Sequence, residues 1–141
     1  MVIRTFRPTV QGLEEHLIAF NEIIREIDPS ILIMDPITSF IDVGSPMEVE
    51  AMLSRVLDLF KSQRMLVSMT ALPSGSESSE ETDVSVSYLV DTWVSLDYVI
   101  HGQDRKWTIY VDKSRGRDHS HEKVQFMILS QGVSVQLFQM R

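Results

Sequence analysis

Asp35 is the residue whose setting points most directly to chemistry. It follows four apolar residues, Ile31, Leu32, Ile33 and Met34, and precedes Pro36. A carboxylate placed there lies at the carboxyl end of a buried strand, where open α/β sheets build their ligand sites. In nucleotide-hydrolysing folds such a carboxylate holds magnesium, often through water. The same string also serves simply to end a strand and open a Pro turn, and both readings stand on spacing alone. The usual companion of a magnesium carboxylate is the phosphate loop G-x-x-x-x-G-K-[ST], whose backbone amides cradle phosphates. The six glycines are Gly12, Gly44, Gly75, Gly102, Gly116 and Gly132. None is followed by Lys-Ser or Lys-Thr, and no pair has the required spacing, so that loop is absent from the sequence.

The second candidate is Lys113-Ser-Arg-Gly-Arg-Asp-His119. Lys113 follows a strand, and alternation keeps Arg115 on the same side for as long as the chain stays extended. Two cations on one side ahead of a Gly turn suit a phosphate group, the lysine as a point charge and the arginine as a bidentate fork. A solvated basic loop is the plainer alternative. His119, His121 and Glu122 invite a metal reading, but their spacing matches no zinc pattern and there is no cysteine to help. Ser68 and Thr70 are hydroxyls near the end of a strand neighbouring Asp35; they fit a phosphate sensor or ordinary strand-end hydroxyls. No G-x-S-x-G nucleophile elbow occurs. Trp93 and Trp107 fit core or sheet-face roles better than a stacking platform.

These residues need elements to position them. Val2 to Phe6 is short and β-leaning. From Gly12 the period changes: Leu13, Leu17, Phe20, Ile24 and Ile27 recur at three and four, an amphipathic helix that Asp28-Pro29 ends. Ile31 to Met34 is apolar on both sides and predicts a parallel strand covered on both faces. Ser45, Pro46 and Glu48 form a capping box ahead of a helix whose buried stripe is Val49, Met52, Leu53, Val56, Leu57 and Phe60. Met65 to Ala71 is the next strand, which completes a βαβ unit. The stretch from Pro73 to Asp83, rich in Ser and Glu, predicts a mobile loop. Val84 to Val90 suits a short helix. Strands at Thr92 to Ile100, Trp107 to Val111, Val124 to Leu129 and Val133 to Phe138 then make a meander, with turns at His101 to Asp104 and Gln131-Gly132 and a loop at Ser114 to Glu122.

The chain has 141 residues, 43% of them hydrophobic, with a net charge of -7. That suits one soluble domain with a single core. The acidic balance argues against nucleic acid as a partner, which needs a basic face. Lys113, Arg115, Arg117 and Lys123 form a basic island in this acidic chain, as a small polyanion site would. No apolar run approaches a membrane span. MVIRTFRPTV lacks the features of a secretory signal, and the absence of cysteine makes a reducing cytoplasm the simplest expected location.

The strings RPTVQGLEEHL, ILIMDPITSF, ETDVSVSYLVDTWVSL and VDKSRGRDHSHEKVQFMILSQGVSV together resemble the KaiC family along nearly the whole chain. The most specific element is LVDTW followed about twenty residues later by K-x-R-G-x-x-H-S. The resemblance implies an α/β fold: a RecA-like P-loop NTPase core without its P-loop half, parallel strands followed by an antiparallel hairpin and meander. It would form one partial domain over residues 1–141. Within it, 1–71 holds the helix-strand-helix-strand part with Walker B, 72–83 the mobile loop, and 84–141 the strand-rich part with the K-x-R-G loop. In this family subunits assemble in rings and ATP lies at the subunit boundary. One subunit gives the P-loop, catalytic glutamates and Walker B aspartate, and its neighbour gives the K-x-R…H loop.

Carried over by position, Asp35 matches the Walker B aspartate and magnesium ligand. Lys113 and Arg115 match the cations that reach a neighbour's phosphates, and His119 the histidine near the nucleotide. Ser87-Tyr88 falls where the family's clock members carry a Ser-Thr phosphorylation pair; the tyrosine departs from that pattern, and clock-type autophosphorylation is not expected. The P-loop and glutamate pair belong to a half that this sequence does not contain, as in a truncated relative or a piece of a longer protein. ATP and magnesium are therefore the family's cofactors, not expected to bind the isolated chain. Two functions follow. One is assembly, as a homo-oligomer or with a P-loop-bearing partner, in which the Lys-Arg loop acts in trans without ATP hydrolysis by this chain alone. The other is half of a working ATPase or kinase, completed by such a partner or by a missing N-terminal segment. A response-regulator-like binding domain is a third, and it gives no reason for the Lys113 to Ser120 loop.

Overall fold

The capping box at Ser45 forms as the sequence dictates. The Ser45 hydroxyl accepts from the Glu48 backbone N–H at 3.4 Å, and the Glu48 carboxylate accepts from the Ser45 N–H at 2.8 Å. It opens α2, Pro46–Ser62, and all six residues of the expected stripe are buried. The computed structural model describes residues 1–7, 12–73, 86–101 and 103–136. They fall into two compact units, Met1–Leu89 and Val90–Arg141.

In the first unit α1, Leu13–Ile27, buries His16, Phe20 and Ile24 and ends at Asp28, which takes the left-handed conformation (φ 47°). The His16 ring lies 5.9 Å from Phe6 and 5.2 Å from Phe40, centroid to centroid. This aromatic cluster ties the N-terminal segment to α1 and to a 3-10 helix at Ile37–Asp42. Residues 2–6 thus form no strand, contrary to their β-leaning composition: Phe6 is held by aromatic packing and no strand pairs with the segment. Glu14 and Arg55 join α1 to α2 by an exposed ion pair at 2.8 Å.

Strands β1, Ile31–Met34, and β2, Leu66–Met69, pair in parallel with Ile31 opposite Leu66 and Met34 opposite Met69. Coverage of β1 on both faces is not seen among the described residues of this unit. Met34 is buried, whereas Ile31 and Ile33 on the other face are 62% and 70% exposed, and Leu66 beside them is exposed too. The apolar run reflects two faces that favour burial; the helices of this unit supply one layer. Residues 86–89 make a turn closed by the Leu89 N–H on the Val86 carbonyl at 2.9 Å, where a helix was expected from Val84. Residues 84 and 85 and most of the Ser/Glu-rich loop lie outside the described residues.

The second unit is an antiparallel meander in the order β3-β4-β5-β6. Its strands are β3, Thr92–His101; β4, Asp104–Ser114; β5, Val124–Leu129; and β6, Gly132–Gln136. Strand β4 extends further at both ends than its apolar residues mark, because pairing with β3 recruits polar positions into the ladder. No described helix is long and apolar enough to cross a membrane.

The capping box gives a direct stability test. Hydrogen bonds from the Ser45 backbone and then its hydroxyl lower the Glu48 carboxyl below its usual 4.5. A carboxylate whose folded pKa is depressed contributes stability above the unfolded value and loses it as pH falls through the folded one. We expect Glu48→Gln to be less stable than wild type in urea unfolding at pH 7, with the gap closing as the pH falls below 4.5. Ser45→Ala is expected to cost about 0.5–2 kcal/mol at neutral pH.

Candidate functional site

Asp35 stands where the parallel strands end, and the neighbouring strand fixes it there. The Thr70 N–H donates to the Met34 carbonyl at 3.0 Å, and the Thr70 carbonyl accepts from the Ile37 N–H at 2.8 Å. Between these two bonds the Thr70 hydroxyl donates to Asp35 Oδ1. Both side chains are exposed at the carboxyl end of the sheet. A carboxylate has acceptor capacity beyond one hydroxyl, so Thr70 orients Asp35 without exhausting it. Of the two strand-end hydroxyls singled out from sequence, Thr70 is the one that meets Asp35. Among the described residues no three His, Cys, Asp or Glu side chains gather as a metal site. A single oriented carboxylate fits the magnesium pattern in which phosphates and water complete the shell.

The basic loop belongs to the second unit. Trp93 pairs with Lys113 and Thr92 with Ser114, while Val94 pairs with Val111. One residue of β4, Asp112, is therefore extra at this point, a β-bulge. Asp112 accepts a hydrogen bond from the buried Ser95 hydroxyl at 2.6 Å. Beyond the last rung the Arg115 N–H donates to the Asp91 carbonyl at 2.7 Å, where the chain enters the turn. The Arg115 guanidinium lies 3.6 Å from the Asp91 carboxylate, an exposed pair. Gly116 then turns the chain at φ 71°, a left-handed conformation that glycine adopts without strain.

His119 follows, with Nδ1 3.4 Å from the Arg117 carbonyl. The loop returns to β5 at Lys123, whose ammonium sits 4.3 Å from the centre of the Tyr110 ring and 3.7 Å from Asp97.

Lys113 thus lies near the end of β4, and Arg115 and His119 follow it in the turn and loop of the second unit; Asp35 lies in the first. Sequence reasoning did not find Asp91, Ser95, Asp97 or Asp112. Asp91 lies within LVDTW, and its place opposite the K-x-R-G string was the available signal. The basic island is also less bare than its composition suggested, since Arg115 faces Asp91 and Lys123 faces Asp97. A lysine near the end of β4, an arginine in the turn after it and a histidine beyond the turn can bind an anion with several oxygens.

A family model described as "ATPase: KaiC" matches residues 5–138. Among curated proteins, the chain is 33% identical over 131 residues to "Circadian clock protein KaiC2" of Synechocystis sp. (strain ATCC 27184 / PCC 6803 / Kazusa), covering 92% of this chain and 23% of that protein. It is 27% identical over 130 residues to "Circadian clock protein KaiC3" of the same organism, covering 91% of this chain and 26% of the relative. The chain therefore spans about a quarter of the length of these relatives.

Proposed function

This chain belongs to the KaiC ATPase family, and on that premise we propose that it acts through assembly, lending its Lys113–Arg115 loop to the nucleotide site of a neighbouring subunit without hydrolysing ATP alone. One observation carries this reading: the loop is fully built, while the sequence holds no G-x-x-x-x-G-K-[ST] to cradle phosphates. ATP and magnesium belong to the neighbour in this reading. Lys113 meets phosphate oxygens as a point charge and Arg115 as a planar fork. A cation given in trans stabilises charge that develops on a transferring phosphoryl group. His119 completes the loop's contribution beside the nucleotide. The partner is a second copy or a P-loop-bearing relative, and a cytoplasmic setting belongs to the same reading.

The second reading is half of a working ATPase or kinase. The Asp35–Thr70 pair favours it, because an oriented carboxylate at a strand end is the part of a magnesium site that this half would contribute.

The readings part on one experiment. The isolated chain is expected to show no steady-state ATP hydrolysis above that of an Asp35→Ala/Lys113→Ala variant. Full-length Synechocystis KaiC2 titrated with the chain is expected to change its rate of hydrolysis. Turnover by the chain alone, clearly above the double variant, would reject the first reading.

A further inference from the structure

Helices α1 and α2 lead into β1 and β2, and the parallel pairing that sets Ile31 opposite Leu66 brings the two helix exits side by side. The Leu66 N–H donates to the Ser30 carbonyl at 3.0 Å across these exits. The helix ends enclose a cleft of about 310 Å³, lined by Asn21, Ile24, Arg25, Asp28, Leu59 and Gln63. All six belong to the first unit. The cleft lies by the amino end of β1, whereas Asp35 follows its carboxyl end. It is therefore separate from the strand ends where open α/β sheets bind their nucleotides.

The lining combines three chemistries. Ile24 is buried and Leu59 half-buried, and together they are apolar. Asn21 and Gln63 carry amides, which both donate and accept. Arg25 and Asp28 are opposite charges three residues apart, yet among the described residues neither takes part in an ion pair. The backbone adds a second observation. Asp28 has φ 47°, and Arg64, next to Gln63, has φ 56°; these are the two positive values outside glycine among the described residues. Glycine is the usual residue at such a helix end, and the proline at position 29 pushes residue 28 toward extended geometry. The Asp28 carboxylate is thus kept at the cleft where the backbone by itself favours glycine.

We propose that this cleft binds a free α-amino acid with an apolar side chain. The ligand's carboxylate pairs with the Arg25 guanidinium, whose fork matches two carboxylate oxygens. Its ammonium meets Asp28, where the partial negative charge of two helix C-termini adds to that of the carboxylate. An amino acid carries both charges on one carbon, and residues three apart on a helix stand about 5–6 Å apart between Cβ atoms, so one small ligand engages both. Its side chain lies on Ile24 and Leu59, and the Asn21 and Gln63 amides complete its polar contacts. The volume sits at the small end of ligand sites, roughly 300–1,000 Å³, which suits a single amino acid. The inference is independent of the trans reading above.

The test titrates the full chain and follows its backbone amides by NMR. The probes are L-leucine, L-valine and L-phenylalanine, each alone, with isocaproate, which lacks the ammonium, and isoamylamine, which lacks the carboxylate. At least one amino acid is expected to shift amides within residues 21–28 and 59–64, with each half-molecule binding at least about tenfold more weakly. Arg25→Gln and Asp28→Gly are each expected to lose about tenfold in affinity for that amino acid, the factor that loss of a charged hydrogen bond supports. Urea unfolding is expected to leave Asp28→Gly near wild type, because glycine takes the left-handed helix end freely. If none of the three amino acids shifts these amides at millimolar concentration, the proposal is wrong. It is also wrong if isocaproate or isoamylamine binds as tightly as the amino acid, or if either variant keeps the wild-type affinity. Arg25 is exposed, so Arg25→Gln keeps the test decisive should Asp28→Gly fold poorly.

Discussion

Replacing Lys113 and Arg115 together by alanine is expected to leave the chain folded and to abolish its effect on ATP hydrolysis by a P-loop-bearing relative. The two halves of that result have separate causes. Arg115 is exposed, and its ion pair with Asp91 is between side chains 55% and 66% exposed. Such pairs contribute about 0–1 kcal/mol to stability. The Arg115 N–H bond to the Asp91 carbonyl is a backbone contact and survives the change. Function depends on the cations themselves. An arginine supplied in trans to a phosphoryl-transfer site is worth roughly 10³–10⁵ in rate, so even a partial role is readily seen. Arg115→Lys is the sharper single variant, because it keeps the charge and removes the fork. Hydrolysis by Synechocystis KaiC2, measured against rising concentrations of each variant, checks the expectation. A rate that responds to the double variant as it does to wild type rules the trans role out.

The second large effect concerns association. We expect the chain to run as a dimer or larger at micromolar concentration, and Leu96→Asp/Ile128→Asp to run as a monomer near 16.2 kDa. The apolar face of the four-stranded sheet motivates this. Leu96 is 62% exposed, Ile128 70% and Val133 67%, and Val94, Tyr98, Trp107 and Val135 on the same face are exposed as well. Contiguous apolar surface beyond a few hundred Å² marks an interaction site, and burial returns about 25 cal/mol per Å². The strands leave open edges too. Strand β2 pairs with β1 and, among the described residues, with no later strand. Unpaired edges are templates for another chain. Two aspartates at exposed positions cost the fold little but place charge in the middle of any such interface. Sedimentation at several concentrations decides it, and a wild-type monomer mass would reject the idea.

Where local chemistry sets the structure, the sequence alone determined it. The Ser45 capping box, the buried stripe of α2, the parallel strand ending at Asp35 and the β5 strand at Val124–Leu129 all formed within the residues that encode them. Each signal lies within a few turns or one strand, so neighbours in sequence are neighbours in space. The strings that resemble the KaiC family were legible for the same reason.

Tertiary structure decided whatever depends on partners far along the chain. Residues 2–6 have strand-like composition, but the ring of Phe6 packs on His16 and Phe20 and no strand lies beside them. Thr70 meets Asp35 only because β1 and β2 lie side by side in one register. The face that Lys113 presents is the clearest case. Alternation read from Trp107, Ile109 and Val111 assigns it to their side, and the pairing with Trp93 assigns it to the other. Sequence period fixes which residues share a face only while the register holds. Whether a strand takes in an extra residue depends on how it pairs with a strand some twenty positions away, as Trp93 pairs with Lys113, and no local pattern carries that information.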